Sequence, residues 1–303
     1  MNAINNQTDK IQTIQAEATA LIVEQLQEFE TTGQAPAWLQ PWDENGGLAW
    51  PCNLDGTPYS GINVIQLLAI QKKRGYPRST WGTYKAYQDK GGQVLKGEKS
   101  GSIFFYKSLV KEAKDENGNP VPAPLDDAGQ PLDSLQRQIR ILKFYSVFNL
   151  AQTDLEQAPA PVPSENFAGL AAAIRAAGVD VRHGTDKAYH DRQADFIRMP
   201  NLEQFHSEAA YWASLAHECI HWTGSPARLA REKGKAFGDE AYAMEELVAE
   251  LGAVMLLAQF GIKPQFQSTA YLASWIKALQ ADHRLIFRVA AQAQKAASFF
   301  TPH

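Results

Sequence analysis

Apolar residues recur at helical spacing in the first part of the chain. Between residues 8 and 31 they stand three or four positions apart, with polar residues between them. This period places them on one face of an amphipathic helix. The same pattern predicts a second helix over 62–73, and a third, shorter helix that ends near Tyr87 and is capped by Ser79 or Thr80.

Strand-like runs follow these helices. Residues 93–95, 102–109 and 139–148 have the apolar, β-branched and aromatic content that favours strands. Between the last two runs, residues 115–134 are rich in Pro, Gly and Asp and hold almost no large apolar side chain, which predicts a flexible, exposed insertion. Residues 153–166 contain three prolines and predict a stiff linker between two domains.

The second half begins with a helix and strands and then becomes mainly helical. Strand-like runs lie around 179–182 and 194–198, and the predicted helices are 167–177, 207–222, 239–260, 268–280 and 282–298. The sequence therefore predicts an α+β fold of two domains. The predicted parts are a first domain over 1–152, a linker over 153–166 and a helix-rich second domain over 167–303.

Composition and charge are those of an ordinary globular protein. Of 303 residues, 45% are hydrophobic and 20% are charged, which allows each half its own core. The sequence shows neither a signal-peptide pattern nor an apolar run of about 18 residues, so it predicts no membrane partner. Cys52 and Cys219 are far apart and belong to no CxxC pair, which favours a reduced, cytoplasmic setting.

The run from His217 to His221 has the spacing of a zinc-binding helix. Positions i and i+4 of a helix lie on one face, so both imidazoles can reach one zinc ion. Glu218 stands beside the first histidine, where its carboxylate can take a proton from a water on the metal. We interpret Glu218 as the general base and the two histidines as ligands. An amphipathic helix with incidental polar residues is the alternative.

A catalytic zinc ion needs a third protein ligand, and the helix over 239–260 offers two candidates. Glu246 and Glu250 stand four apart and share a face, while apolar neighbours indicate a buried helix. We predict that Glu246 is the ligand and that Glu250 holds a metal-bound histidine from behind, with the reverse assignment left open. Glu245 is predicted to face outward. Zinc is the default metal, although His₂Glu sites also accept other divalent ions.

Three further side chains near these motifs have a predicted role. Tyr189 and Tyr242 could each donate a hydrogen bond to a developing oxyanion, but core packing is the favoured role of both. Cys219 points away from the ligand face of its helix and is predicted to pack in the core.

A basic, aromatic segment lies in the first half. Residues 72–114 contain eleven Lys or Arg against three acids, a balance of +8 in a chain of net charge −4. Basic groups neutralise phosphates and aromatic faces stack on unpaired bases, so the mixture favours single-stranded over duplex nucleic acid. A solvated basic face over an aromatic core is the alternative. The predicted DNA-binding residues are Lys72, Lys73, Arg74, Arg78, Trp81, Tyr84, Lys85, Lys96, Lys99 and Trp42.

Seven short motifs follow one another along nearly the whole chain. They are WLQPW at 38–42, YSGIN at 59–63, WGTY at 81–84, GGQVLKGEK at 91–99, YSVFN at 145–149, HECIHWTG at 217–224 and EELVAE at 245–250. In this order and spacing they resemble the ArdC-type antirestriction proteins of conjugative plasmids. The resemblance implies an N-terminal single-stranded DNA-binding domain, a C-terminal zincin-like metallopeptidase domain, and protection of incoming plasmid DNA from host restriction.

Three functions are compatible with these observations. The first is an antirestriction protein that binds single-stranded DNA and carries a working or vestigial peptidase, with a host restriction component as a further partner. The second is a zinc metalloprotease with a specific protein substrate. The third is a DNA-binding module whose zinc is structural. The first predicts preference for single strands, the second predicts cleavage that depends on Glu218, and the third predicts unfolding when the metal is removed.

Overall fold

The computed structural model describes residues 2–42, 48–112, 136–156, 164–231, 240–264 and 270–301. In the first half the elements are α1 (Asn2–Thr32), α2 (Ile62–Arg74), β1 (Trp81–Gly82), α3 (Tyr84–Asp89), β2 (Gly101–Glu112) and β3 (Gln136–Asn149). In the second half they are α4 (Phe167–Ala176), β4 (Val181–His183), β5 (Tyr189–Asp191), β6 (Phe196–Met199), α5 (Glu208–Thr223), α6 (Glu240–Gln259), α7 (Leu272–Ala281) and α8 (Leu285–Ser298). This confirms the α+β fold that the hydrophobic pattern predicts.

Two small sheets carry the strands. The first has the order β1-β3-β2 with antiparallel pairing, and β2 pairs with β3 from Gly101↔Val147 to Glu112↔Gln136. The predicted insertion at 115–134 lies between these two strands and outside the described residues. The second sheet has the order β4-β6-β5, with β4 parallel and β5 antiparallel to β6. The hydrophobic pattern predicts strands at β4 and β6 but not at β5, because two of the three residues of β5 (Tyr189–Asp191) are polar.

One helix start differs from its prediction. Helix α3 begins at Tyr84 after the N-cap Thr83, and neither Ser79 nor Thr80 caps it. The reason is that the residues between belong to β1, which pairs with β3 and therefore holds an extended backbone. The Thr83 hydroxyl accepts a hydrogen bond from a backbone N–H of the first turn, which satisfies one of the donors that a helix start leaves free.

The first residues of the predicted linker pack against the first half of the chain. Val94 pairs with Thr153 in an isolated bridge, and the strand predicted around Val94 is limited to that bridge. Leu155 packs so closely on Gly92 that a Cβ at Gly92 would lie 2.4 Å from the Leu155 side chain. Residues 157–163 of the predicted linker lie outside the described residues.

A continuous hydrophobic core joins the two halves. Helix α1 packs on α7, and α2 packs on α8. Phe104 of β2 meets Phe287 of α8 edge to face, with ring centroids 4.8 Å apart. The Thr19 hydroxyl donates a 2.7 Å hydrogen bond to the carbonyl oxygen of His283. Across the described ranges, none of the helices combines the length and apolar character needed to cross a membrane.

Helices α5 and α6 pack against each other and place the functional side chains. Ser207 caps α5 by accepting a hydrogen bond from the Ala210 N–H. Gly252 of α6 faces Ile220 of α5, and a Cβ at Gly252 would lie 2.9 Å from the Ile220 side chain. Glycine therefore allows a close approach of the two helices, which brings the polar residues of α6 within reach of the histidines on α5.

Candidate metal centre

Two histidines of α5 and one glutamate of α6 converge in the buried space between these helices. The Nε2 atoms of His217 and His221 lie 3.0 Å apart. The Glu246 carboxylate lies 3.5 Å from the first of these nitrogens and 3.4 Å from the second. All three side chains are nearly inaccessible to solvent. Burying three polar groups at one point needs a common partner or counter-charge.

The spacing of these three donors fits a tetrahedral metal ion. Ligand atoms that lie about 2.0–2.1 Å from a tetrahedral zinc ion are separated from one another by roughly 3.3–3.4 Å. The two imidazole nitrogens are 3.0 Å apart, and the two carboxylate oxygens of Glu246 lie 3.4 Å (Oε1) and 3.5 Å (Oε2) from one imidazole nitrogen each, close to that value. Two imidazoles and a carboxylate form a donor set that suits zinc and other divalent ions. Three protein ligands leave a fourth position open, as catalytic rather than structural zinc sites do.

Each histidine has a carboxylate behind it, on the side away from the other histidine. Glu250 Oε1 lies 3.5 Å from His217 Nδ1, and Glu245 Oε1 lies 3.2 Å from His221 Nδ1. Carboxylates in this position fix the tautomer and the orientation of metal-binding imidazoles. The geometry supports the role predicted for Glu250 behind a histidine. It also places Glu246, the predicted third ligand, beside both imidazoles.

The prediction that Glu245 faces outward was wrong. Its carboxylate is buried and accepts two hydrogen bonds from Arg231, at 3.0 Å from Nε and 2.8 Å from a terminal nitrogen. The same guanidinium donates to the Thr223 hydroxyl and to the Ile220 carbonyl oxygen at the end of α5. Burial raises the pKa of Glu245, but His221 and Arg231 outweigh burial and lower that pKa to about 2. Glu245 is therefore ionised and locked behind His221.

We expect Glu245→Gln to weaken zinc binding about 10–100-fold, because the amide no longer offers His221 a charged acceptor. The change also leaves the buried Arg231 without its counter-charge, which lowers the free energy of unfolding by about 3–5 kcal/mol. Competition titration with a zinc chelator and thermal unfolding measure the two effects. Glu203→Gln, an exposed exchange of the same type, serves as the matched control. Unchanged zinc affinity in Glu245→Gln would limit Glu245 to a structural role.

The carboxylates around the trio raise the pKa of both imidazoles above that of a free histidine. Burial is the largest influence on the pKa of His221 and lowers it, but hydrogen bonds to Glu245 and Glu246 outweigh burial and raise that pKa to about 9. Burial likewise lowers the pKa of His217, and the hydrogen bond to Glu246 and the charge of Glu250 reverse the shift. Burial raises the pKa of Glu250 to about 7. Metal binding must therefore release imidazole protons.

Glu218 lies where the site opens to solvent. It is half-buried, and it lines a cleft of about 400 Å³ together with His217, Ser214, Phe205 and the segment 186–188. His217 and Glu218 line the same cleft, and the charge of Glu218 raises the pKa of both histidines. A substrate in this cleft can approach the metal position and Glu218 at the same time, as the role predicted for Glu218 requires.

Three further side chains near the motif, those of Tyr242, Cys219 and Tyr189, differ in their burial and contacts. The Tyr242 ring lies 5.9 Å from that of Tyr271, centroid to centroid, and burial together with the charge of Glu246 raises the pKa of Tyr242. Cys219 is fully buried in the core, as predicted, and burial raises the pKa of its thiol. Tyr189 is 44% exposed, so the prediction that it packs in the core was wrong. The short strand β5 carries Tyr189 at a sheet edge, which explains its exposure.

The predicted DNA-binding residues differ in how accessible they are. Trp81 is fully buried and its indole N–H donates to the Ser79 hydroxyl, so its ring is not accessible to DNA in this structure. Lys73 pairs with Glu24 at 2.6 Å, and Arg74 donates to the Lys99 carbonyl oxygen. The other predicted residues are exposed or half-buried: Trp42, Lys72, Arg78, Tyr84, Lys85, Lys96 and Lys99.

Two of these residues share an open cleft beside α2. Trp42 and Lys72 line a space of about 460 Å³ with Tyr76 and Gln71. The indole nitrogen of Trp42 and the amide oxygen of Gln71 are buried and make no hydrogen bond in the described part of the chain. Lys263 lies over the Trp42 ring at 5.5 Å from its centroid. The cleft combines aromatic surface, positive charge and unsatisfied polar atoms.

Comparisons with known proteins agree with this two-part organisation. Residues 12–148 match the family described as the N-terminal domain of anti-restriction factor ArdC, and residues 168–292 match the zincin-like metallopeptidase family. The metal-free crystal structure of the antirestriction protein ArdC from plasmid R388 is 36% identical, with a TM-score of 0.73 over 95% of this chain and 96% of that one. Its Mn(II)-bound structure is 34% identical, with the same TM-score.

Two curated relatives extend the comparison. DNA primase TraC of Escherichia coli is 38% identical over 288 residues, which is 92% of this chain but 26% of TraC, so the chain spans about a quarter of that protein. The uncharacterized protein y4eC of Sinorhizobium fredii (strain NBRC 101917 / NGR234) is 33% identical over 273 residues, covering 88% of this chain and 85% of y4eC. Both family matches and the full-length likeness to a solved relative lead to one conclusion: the chain belongs to the ArdC family of antirestriction proteins.

Proposed function

We propose that this protein protects incoming plasmid DNA from host restriction in the cytoplasm, binds single-stranded DNA through its first half and hydrolyses a protein substrate at a zinc site in its second half. The observation that carries the proposal is the buried trio of His217, His221 and Glu246 beside Glu218 on an open cleft. The solved relative of the same architecture is an antirestriction protein by name, and one of its two structures is Mn(II)-bound.

The residues of the site have separate tasks in the proposed reaction. His217, His221 and Glu246 would hold the ion, and Glu245 and Glu250 orient the imidazoles. A zinc ion bound there would supply Lewis acidity toward a carbonyl oxygen and an attacking water. The Glu218 carboxylate takes a proton from the attacking water and delivers it to the leaving amine. The cleft at 186–188 and Phe205 admits the substrate chain on the side where Glu218 lies.

The main alternative uses the same site without DNA. A zinc metalloprotease that acts on a specific protein substrate is favoured by the open cleft and by a set of three, not four, converging ligands among the described residues. A DNA-binding module with structural zinc agrees less well, because structural sites have four protein ligands and the described residues bring three together here. Single-strand binding would distinguish the proposed function from the protease alone, and loss of plasmid protection in Glu218→Gln would distinguish it from the module with structural zinc.

We expect the protein to bind single-stranded DNA more tightly than duplex of the same sequence, with affinity that falls as salt rises. Lys72→Glu, Lys85→Glu and Lys96→Glu combined should weaken binding and flatten the salt dependence by about 0.7 in log–log slope for each phosphate that the protein no longer neutralises. Fluorescence anisotropy with a labelled DNA strand of about 20 nucleotides, long enough to span one or two typical single-strand sites, measures both. The matched control reverses three exposed charges in the second half, Arg175→Glu, Lys277→Glu and Lys295→Glu. Equal affinity for single strand and duplex would contradict the proposal.

A further inference from the structure

Two aromatic side chains of the β2–β3 ribbon stand in solvent and touch each other. Phe105 is 54% exposed and Tyr145 is 46% exposed. Their ring centroids lie 6.1 Å apart with the ring planes at 88°. Adjacent exposed aromatic rings leave a patch of apolar surface in water, and such patches commonly mark a binding surface. Because the two ring planes are nearly perpendicular, the pair has an edge-to-face arrangement on the protein surface.

The register of the ribbon puts both rings on one face of the sheet. Ile103 pairs with Tyr145, and Phe105 pairs with Lys143 on the next pair of that face. The inner end of the face is buried, because Ile103 and Val147 pack in a small cluster with Trp81. One end of this face is therefore packed in the core, and the two exposed aromatic rings lie next to it on paired strands.

The charge around this face is positive. Lys143 stands directly across the ladder from Phe105. At the start of β2 the Arg74 guanidinium donates to the carbonyl oxygens of Lys99 and Ser100, which places further basic groups at this end of the two strands. Basic groups suit a phosphate backbone, and exposed ring faces suit unpaired bases. A duplex offers only the first of these partners on its outside, because its base faces are stacked.

We infer that Phe105 and Tyr145 form a base-stacking platform for single-stranded DNA, with Lys143 beside it to contact phosphate. This inference rests on the single-strand binding proposed above. It adds two aromatic residues and one lysine that the predicted DNA contacts do not include, and it supplies the accessible rings that the buried Trp81 cannot. The platform needs no base-specific hydrogen bonds, so we expect little preference among sequences.

The experiment compares variants of the full chain by anisotropy with a labelled oligo(dT) strand and a matched duplex. Phe105→Ala and Tyr145→Ala should each weaken single-strand binding about 5–100-fold without changing its salt slope, because the rings stack on bases. Lys143→Gln should weaken it less and reduce the slope by about 0.7. Phe105→Trp should retain wild-type affinity. Tyr189→Ala, an equally exposed tyrosine on the second half, is the matched control.

The outcomes separate this inference from the function on which it rests. A wild-type protein that fails to bind single strands overturns the proposed function and the platform together. If the wild type binds and Phe105→Ala with Tyr145→Ala binds equally well, the platform is wrong while the proposed function stands. If the double variant keeps its DNA affinity but changes sedimentation mass, the face joins copies of this chain, which also overturns the platform. Circular dichroism shows that each variant is folded.

Discussion

Glu218→Gln is expected to lower metal-dependent hydrolysis by about 10²–10⁴-fold, the usual contribution of a positioned general base. We expect the same variant to lose protection of an unmodified plasmid that enters a restricting host. The side chain keeps its shape and its place on the cleft and loses only its ability to take a proton. Because Glu218 is not one of the three converging donors, zinc affinity should remain at the wild-type level.

The measurement is the ratio of plasmid transfer into a restricting and a non-restricting recipient, with wild type or variant supplied by the donor. Glu208→Gln, an exposed glutamate in the first turn of the same helix, is the matched control and should protect fully. Zinc titration of the purified proteins confirms that the site is intact. Full protection by Glu218→Gln would contradict a hydrolytic step and would mean that DNA binding by the first half is sufficient.

The helices of the metal site are predictable because their signals are local. A spacing of four residues places His217 and His221 on one face, and the same spacing places Glu246 and Glu250 together on α6. The dense apolar residues around Glu246 and Glu250 are enough to predict that their helix is buried. Both features can be predicted without knowledge of the tertiary structure, which is why the convergence of the trio agrees with the prediction.

Glu245 shows where local reasoning ends. A helical wheel turns it away from Glu246, and on an ordinary amphipathic helix that direction would meet water. Helix α6, however, packs against both α5 and α8, so little of its surface near the site is exposed. Arg231, the partner that makes a buried carboxylate tolerable, lies fourteen positions earlier and outside any helix or strand. Nothing in the spacing of the two residues predicts that they meet.

The aromatic residues of the first half show the same limit. Composition indicates that aromatic and basic residues mix, but not which rings lie beneath the sheet and which lie on it. Trp81 belongs to β1 and is covered by Tyr76 and Ile103 on neighbouring elements, whereas Phe105 extends beyond the buried end of the ribbon. The difference depends on strand pairing, which is long-range and therefore absent from a pattern read along the chain.

Glu246→Gln is expected to weaken zinc binding by more than the roughly 10–100-fold that follows loss of a carboxylate behind a ligand. Glu250→Gln should stay within that range. The reason is position: Glu246 faces the Nε2 atoms of both histidines, whereas Glu250 lies at His217 Nδ1, on the far side of that ring. Each variant serves as the control for the other, because the two glutamates lie one turn apart on α6 and both are buried.

Zinc titration of chelator-treated protein and thermal unfolding with and without the ion give two independent readouts. A ligand at about a thousand times its Kd stabilises the wild type by about 4 kcal/mol, which corresponds to roughly 5–10 °C in a chain of this size. Glu246→Gln should lose most of that shift and Glu250→Gln should keep most of it. A larger loss in Glu250→Gln would exchange the two roles and make Glu250 the ligand.

The chelated wild type should remain folded in the same experiment, because the core that joins both halves is hydrophobic and extends far beyond the metal site. The ion then adds stability by mass action and is not required for the fold to form. Cooperative unfolding of the second half on chelation would instead make the zinc structural, and Glu218→Gln would then be silent. Persistence of the fold, together with loss of activity on metal removal, is the combination that a catalytic ion requires.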